Sequence, residues 1–253
     1  MLEDLRGKAI LVTGASIGIG AAAALAFGRL GANVAVHYNR NAEAAEAVCA
    51  AIQKLGSKAV AIGGDFGVLG TAKRVVADAA RELGRLDVLV NNAGAMIRRT
   101  PFLELDGELY DAAMNLNVKS VIEASQAAVP HMEKQGGGAI INLGSIAGSD
   151  GGGPGSGHYA CAKAYVHNLT RHMARDLASR KIRVNAVAPG VIETAFHAAT
   201  PPERMAAMKK SVPLGRAGTP EDCVGPILFL ASTSMGAYVS GQILHVNGGQ
   251  FMP

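Results

Sequence analysis

The sequence predicts an α/β fold, a single doubly wound parallel sheet of about seven strands with helices on both faces. Three observations predict it. Short, near-continuous apolar runs alternate with longer amphipathic stretches from end to end. A glycine-rich turn after the first run opens an alanine-rich helical pattern. The chain of 253 residues is 49% hydrophobic and only 17% charged, which suffices for a sizeable buried core and speaks against disorder. Aromatics are scarce and Trp is absent, so the core is expected to be Ala, Val, Ile and Leu.

The elements follow in order. Residues 8–12 (KAILV) form the first strand, and the Ala-rich stretch 18–30 the first helix. Strand 33–37 precedes helix 42–55, and strand 58–62 precedes helix 69–83. Strand 86–90 leads into one long helical pattern over 105–134, then strand 139–143 and helix 159–179. Strand 182–187, helix 220–231 and strand 243–246 complete the set. Two segments break the alternation. Residues 149–157 (SDGGGPGSG) read as a flexible loop, and 192–211 reads as a partly helical lid or substrate loop. No linker or charge run divides the chain, so 1–253 is expected to be one domain.

Net charge is +4, with Lys and Arg scattered rather than gathered in a stripe. A solvated basic surface is expected, not a nucleic-acid footprint. Cys49, Cys161 and Cys223 are far apart and odd in number, which suggests neither a disulfide framework nor a metal site. The N-terminal residues carry no apolar signal region and no run reaches membrane-spanning length, so a soluble, cytoplasmic setting with no membrane partner is expected.

Candidate chemistry begins at the turn Thr13-Gly14-Ala15-Ser16-Ile17-Gly18-Ile19-Gly20. Glycines between a strand and a helix let backbone approach a pyrophosphate, and the helix N-terminus adds N–H donors and partial positive charge. The second strand ends in Tyr38-Asn39-Arg40. An acidic residue here would hold the 2′-hydroxyl of NAD(H), whereas arginine suits the 2′-phosphate of NADP(H). NADP(H) is therefore favoured over NAD(H), with a solvated helix-start residue as the alternative role of Arg40. Asp65 could receive an adenine amino group or cap the next helix. Asn91-Asn92-Ala93-Gly94 ends the fourth strand, at the sheet edge where ligands bind.

Tyr159 and Lys163 are spaced to share one helix face. A nearby lysine cation is expected to lower the phenol pKa, so the pair could exchange a proton with an alcohol or carbonyl. By itself this spacing is weak, since a solvated Tyr and Lys need no chemistry.

Together these pieces resemble the short-chain dehydrogenase/reductase family, whose domain is Rossmann-type. The match is carried by TGASIGIG at 13–20, NNAG at 91–94, Asn117 within NLNV, Ser145 within GSI, YACAK at 159–163, Pro189-Gly190 with Thr194, and HVNGG at 245–249. The resemblance implies a catalytic tetrad of Asn117, Ser145, Tyr159 and Lys163 and needs no metal. Tyr159 would transfer the hydroxyl proton, Ser145 would hydrogen-bond the substrate oxygen, and Lys163 would hold the nicotinamide ribose. Asn117 would hold a water of the proton relay; Asn115 competes with it for that place. His158 and His167 flank the Tyr helix and read as solvated or packing residues. The resemblance also implies cofactor contacts from Gly14, Ser16, Ile17, Gly18, Ile19, Gly20, Tyr38, Asn39, Arg40, Asp65, Phe66, Asn92, Ala93, Gly94, Tyr159, Lys163, Pro189, Gly190, Ile192 and Thr194. Asn91 would bond backbone at the sheet edge. Met96 and Ala147 would join Ser145 and Tyr159 around the substrate.

The implied activity is interconversion of a small-molecule carbonyl and secondary alcohol by hydride transfer, in a homotetramer. Within the family the likeness is to 3-oxoacyl-(acyl carrier protein) reductases and to sugar or polyol dehydrogenases. Pro130-His131 stands where the reductases' carrier-docking arginine is expected, while Arg175 fits the second such place. Ser145 and Tyr159 are about one residue further apart than in many relatives, the extra length lying in the glycine-rich loop. A non-catalytic dinucleotide sensor is the alternative from another class. All four tetrad positions are filled, which argues against it.

Overall fold

The computed structural model of the protein describes residues 2–197 and 200–253. Ala198 and Ala199, inside the expected substrate loop, lie outside the described residues. Seven parallel strands form one sheet in the order β3-β2-β1-β4-β5-β6-β7. They are β1 (Ala9–Val12), β2 (Asn33–Tyr38), β3 (Ala59–Gly63), β4 (Val88–Asn91), β5 (Gly138–Leu143), β6 (Ile182–Pro189) and β7 (Ile243–Val246). Helices α1 (Gly18–Arg29), α2 (Ala42–Lys54) and α3 (Thr71–Leu83) follow the first three strands. Next come α4 (Gly107–Met114), α5 (Ser120–Glu133), the single turn α6 (Ala147–Asp150), α7 (Gly157–Asp176), α8 (Pro202–Lys210) and α9 (Val224–Ala231).

The strands are buried on both faces, which explains their unbroken apolar character. Along β1 the alternation is visible in the packing. Ile10 and Val12 pack with Phe27, Ile52 and Leu228 on one side, while Leu11 packs with Val75, Val76 and Met132 on the other. Burying each such side chain contributes about 1.5–3 kcal/mol.

Several elements differ from expectation. The third helix starts at Thr71, not at 69, because Gly70 takes a left-handed φ of 84° just before it. The long pattern over 105–134 is not one α-helix. A π-turn, Asn115–Lys119, separates α4 from α5. The Tyr helix begins two residues early, at Gly157, and a helical turn occupies the start of the expected glycine loop.

Consecutive strands β1, β2 and β3 run outward in one direction, and β4 to β7 in the other. The reversal lies between β1 and β4, so the connections leaving their carboxyl ends run to opposite faces of the sheet and leave a crevice. The turns after β1, β4, β5 and β6 all reach it.

Candidate active site

A cavity of about 750 Å³ opens at that crevice. Gly14, Ile17, Gly18 and Ile19 of the glycine turn line one end. Asn92, Gly94, Ser145, Tyr159, Lys163, Pro189, Gly190, Ile192 and Thr194 line the rest, with Met96 and Ala147. Residues from five separate stretches of chain are thus brought to one surface.

The glycine turn is built to receive an anion. Gly14 and Gly18 have φ of 61° and 60°, and no side chain caps the α1 N-terminus. Its apolar N-cap residue, Ile17, is half exposed. The first N–H groups of a helix lack intrahelical acceptors, so this end presents free donors to the cavity. That chemistry fits the pyrophosphate of a dinucleotide.

Three long-range ties shape the turn. Asn92 Nδ2 donates to Thr13 O at 2.8 Å and Gly14 O at 2.9 Å. The backbone N–H groups of Asn92 and Ala93 both donate to Thr13 Oγ1 at 2.9 Å. His37 Nδ1 accepts from Gly14 N at 3.0 Å, and its Nε2 donates to Gly64 O at 2.9 Å. Those two bonds need a neutral imidazole, and burial pushes its pKa down to about 4. The importance of His37 was not legible in the sequence, because a strand-end histidine signals nothing about a turn 23 residues earlier.

Several expected cofactor contacts lie outside the cavity lining. Tyr38, Asn39 and Arg40 sit at the end of β2, and the Tyr38 ring lies against Gly63. Asp65 Oδ1 accepts from Gly67 N at 2.8 Å, which shapes a turn. Phe66 is buried, with its ring stacked on His37 at 4.0 Å. Gly20 packs closely beneath Gly14 and Asn92, where no Cβ fits. Ser16 is not among the lining residues either.

The tetrad residues converge from β5, the π-turn and α7. A Cβ on Gly94 would lie 2.6 Å from Asn117 Oδ1 and 3.3 Å from Lys163 Nζ. The π-turn holds Asn117 fully buried at that point. Its Nδ2 donates to Ala95 O and Ala113 O, both at 3.0 Å, and its Oδ1 accepts from Ala95 N at 3.2 Å. Both amide hydrogens are therefore engaged with backbone. Asn115 instead leaves a buried Oδ1 without a partner. We expect Gly94→Ala to reduce kcat by about tenfold, since its Cβ must displace Asn117 or Lys163. Unchanged kcat in steady-state assays would show that the close approach is irrelevant.

Lys163 is buried and donates from Nζ to Leu143 O at 2.6 Å. Burial lowers its pKa to about 8. Nζ stands 5.6 Å from the centroid of the Tyr159 ring. Tyr159 is pushed up to about 12 by burial, partly offset by a hydrogen bond with Ser145. The expected lowering of the phenol by lysine is thus not seen in this arrangement. The ammonium is turned to a carbonyl, and desolvation of the phenolate dominates.

Ser145 Oγ accepts from Ala147 N at 3.1 Å. Behind it, His167 Nε2 accepts from Ser145 N at 3.4 Å, and burial lowers the His167 pKa to about 4. His158 is buried as well, bonded through Nε2 to Met96 O at 2.9 Å. Both histidines are packed, so their solvated alternative is set aside. Asn91 does not bond backbone as expected. Its Nδ2 donates to Ser125 Oγ at 3.1 Å and Asn142 Oδ1 at 2.9 Å, joining β4 to α5 and β5. Gln250, from the C-terminal tail, also lines the cavity and accepts from Val191 N at 3.1 Å through Oε1. Among the described residues no His/Cys/Asp/Glu cluster could hold a metal.

Known proteins match this architecture along its whole length. A family model described as enoyl-(acyl carrier protein) reductase matches residues 14–250. A 3-oxoacyl-[acyl-carrier-protein] reductase of Staphylococcus aureus is 41% identical over 97% of this chain and 98% of its own. An L-rhamnose 1-dehydrogenase (NAD(P)(+)) of a Sphingomonas species is 40% identical over 99% of both chains. The crystal structure of a short chain dehydrogenase from Burkholderia cenocepacia in complex with NADP superposes with a TM-score of 0.91 at 36% identity, covering 98% of this chain and 99% of that one. The glycine turn, the crevice between β1 and β4 and the buried Tyr–Lys pair therefore have a shared origin: the chain belongs to the short-chain dehydrogenase/reductase family of nicotinamide-dependent oxidoreductases.

Proposed function

We propose that the protein interconverts a small-molecule carbonyl and its secondary alcohol with NADP(H), using Tyr159 as the proton donor and acceptor. The observation that carries it is one cavity holding the uncapped α1 N-terminus, Ser145, Tyr159 and Lys163. The dinucleotide supplies or accepts the hydride. Ser145 hydrogen-bonds the substrate oxygen where negative charge develops. Tyr159, buried and protonated near neutral pH, gives its proton to that oxygen in the reducing direction. Lys163 holds the ribose and the proton path behind the phenol. Asn117 fixes the backbone of Ala95 beside them and so keeps that path in register.

The preference for NADP(H) rests on Arg40 and on the absence of a carboxylate at Tyr38 and Asn39. Arg40→Ala should lower the preference for NADPH over NADH, measured as a ratio of kcat/KM, by about tenfold. A wild-type enzyme that prefers NADH would sink the assignment.

A second reading, reduction of 3-oxoacyl carrier-protein thioesters, is favoured by the Staphylococcus aureus relative. Exposed Arg175 supports carrier docking, whereas Pro130-His131 does not. Activity screens with NADPH and NADH, pairing acetoacetyl-CoA reduction with oxidation of a polyol panel, separate the two. Self-association as a homotetramer is supported by exposed Tyr110 and Tyr165 on α4 and α7 and by exposed Tyr238 and Leu244 at and before β7. Light scattering on a sizing column tests it. A cytoplasmic setting accords with three unpaired cysteines. No helix among the described residues is long and apolar enough to cross a membrane.

A further inference from the structure

Two arginines from distant parts of the chain meet at the edge of the same cavity. Arg99 lies after β4 and Arg204 lies in α8, and both line it. Arg99 Nη1 and Arg204 Nη2 donate to one acceptor, Pro154 O, at 3.0 and 3.4 Å. Neither is in an ion pair among the described residues. The neighbouring Arg98 behaves differently, turning outward to Asp106 at 2.8 Å.

Two like charges held on one carbonyl repel each other. Burial and the Arg204 charge lower the Arg99 pKa, the mark of a cation without a counter-charge. Asp150, the carboxylate in the cavity wall, does not supply one. Its Oδ1 accepts from Gly152 N at 2.8 Å, and no ion pair joins it to either arginine.

The glycine-rich loop positions the pair relative to the chemistry. A Cβ on Gly152 would touch Ala147 at 3.3 Å and Ala160 at 3.4 Å, next to Tyr159. One on Gly153 would lie 3.2 Å from Arg204 Nη2. The loop is pinned further on, where Thr100 N donates to Gly155 O at 3.0 Å. The two cations thus share one cavity with Tyr159, which Met96, Phe196 and Met208 also line.

We propose that Arg99 and Arg204 form a subsite for an anionic group, so that the substrate is a carbonyl or alcohol bearing a carboxylate or phosphate at its far end. This inference rests on the oxidoreductase reading of the same cavity. Bound carboxylate or phosphate oxygens would take the hydrogen bonds now given to Pro154 O and relieve the repulsion.

The test uses matched substrates that differ in charge: 4-oxopentanoate with its methyl ester, and dihydroxyacetone phosphate with dihydroxyacetone. At least one charged member should be reduced with a kcat/KM about tenfold or more above its neutral partner, as expected for a charge-assisted pair. The pair that responds separates a carboxylate from a phosphate. Arg204→Ala and Arg99→Ala should each lower that preference about tenfold. Arg204→Lys should keep part of it, and Arg98→Ala should leave it unchanged. In parallel, calorimetry measures hexanoate against hexanamide binding to the wild type and to Arg204→Ala. Equal handling of both members in both pairs overturns the proposal, as does hexanoate binding that is independent of Arg204 when the phosphate pair shows no preference either. Arg204-dependent hexanoate binding without turnover of any carbonyl keeps the anion subsite and strikes the oxidoreductase reading instead.

Discussion

Tyr159→Phe is expected to lower kcat by about three orders of magnitude while leaving the fold and dinucleotide affinity nearly unchanged. The substitution removes one hydroxyl from a ring that stays packed against Phe196, whose centroid is 5.5 Å away. It leaves Ser145 to polarise the substrate but removes the proton. The direction of the pH dependence follows from the same burial. With the phenol pushed up to about 12, the site holds its proton at neutral pH and is ready to reduce. Alcohol oxidation requires the site to lose a proton first, so its rate should climb as pH rises above neutrality. The contrast between Tyr159→Phe and Lys163→Met shows whether the buried ammonium, held on Leu143 O, shapes that profile. Steady-state kinetics from pH 6 to 10 and thermal unfolding decide the matter. A loss of less than tenfold in Tyr159→Phe would take this residue out of the proton-transfer role.

Acid should destabilise the protein before Asp4 and Asp222 titrate. His37 and His167 are both buried, and both have pKa values lowered to about 4. An unfolded histidine has a pKa of about 6.5. Above that value both states are neutral and the stabilisation is fully present. As pH falls from about 6.5 toward 4, the unfolded chain takes up protons that the folded chain refuses, so stability drops. Each histidine accounts for a loss on the order of 3 kcal/mol by the end of that window. The carboxylates of Asp4 and Asp222, held low by hydrogen bonds and by Arg216 beside Asp222, titrate below it. Urea unfolding followed by circular dichroism at pH 7.5, 6.0 and 4.5 measures the slope. His37→Asn and His167→Asn should each flatten it. A slope that survives in the double variant assigns the acid sensitivity elsewhere. Because His37 Nδ1 accepts from Gly14 N, its protonation also breaks a support of the glycine turn. Dinucleotide affinity should weaken over the same window.

All seven strands were legible because a strand covered on both faces must be apolar throughout, and their order in sequence and helical crossovers imply parallel pairing. The glycine turn and the Tyr159–Lys163 pair were legible because each is a pattern within a few residues of chain. The break within 105–134 was not legible. The π-turn at Asn115–Lys119 keeps the chain helical, and no Gly or Pro in that turn marks it in the sequence. The partners of Asn91 were not legible, because Ser125 and Asn142 come from other elements.

By itself, then, the sequence determined the fold class, the place of the glycine turn and the Tyr159–Lys163 spacing, since local spacing and hydrophobic period specify these, while Asn117 and Ser145 entered as candidates only through the family resemblance. Only the tertiary structure decided what surrounds them. His37 against Gly14, Lys163 against Leu143 O, Gln250 against Val191, and Arg99 with Arg204 on Pro154 O join residues far apart in the chain. Such contacts depend on how strands and helices pack, and no period or motif along the chain encodes them. Burial decided the electrostatics as well. It holds the Tyr159 phenol up at about 12 and Lys163 down at about 8, because the low-dielectric interior disfavours each charged form.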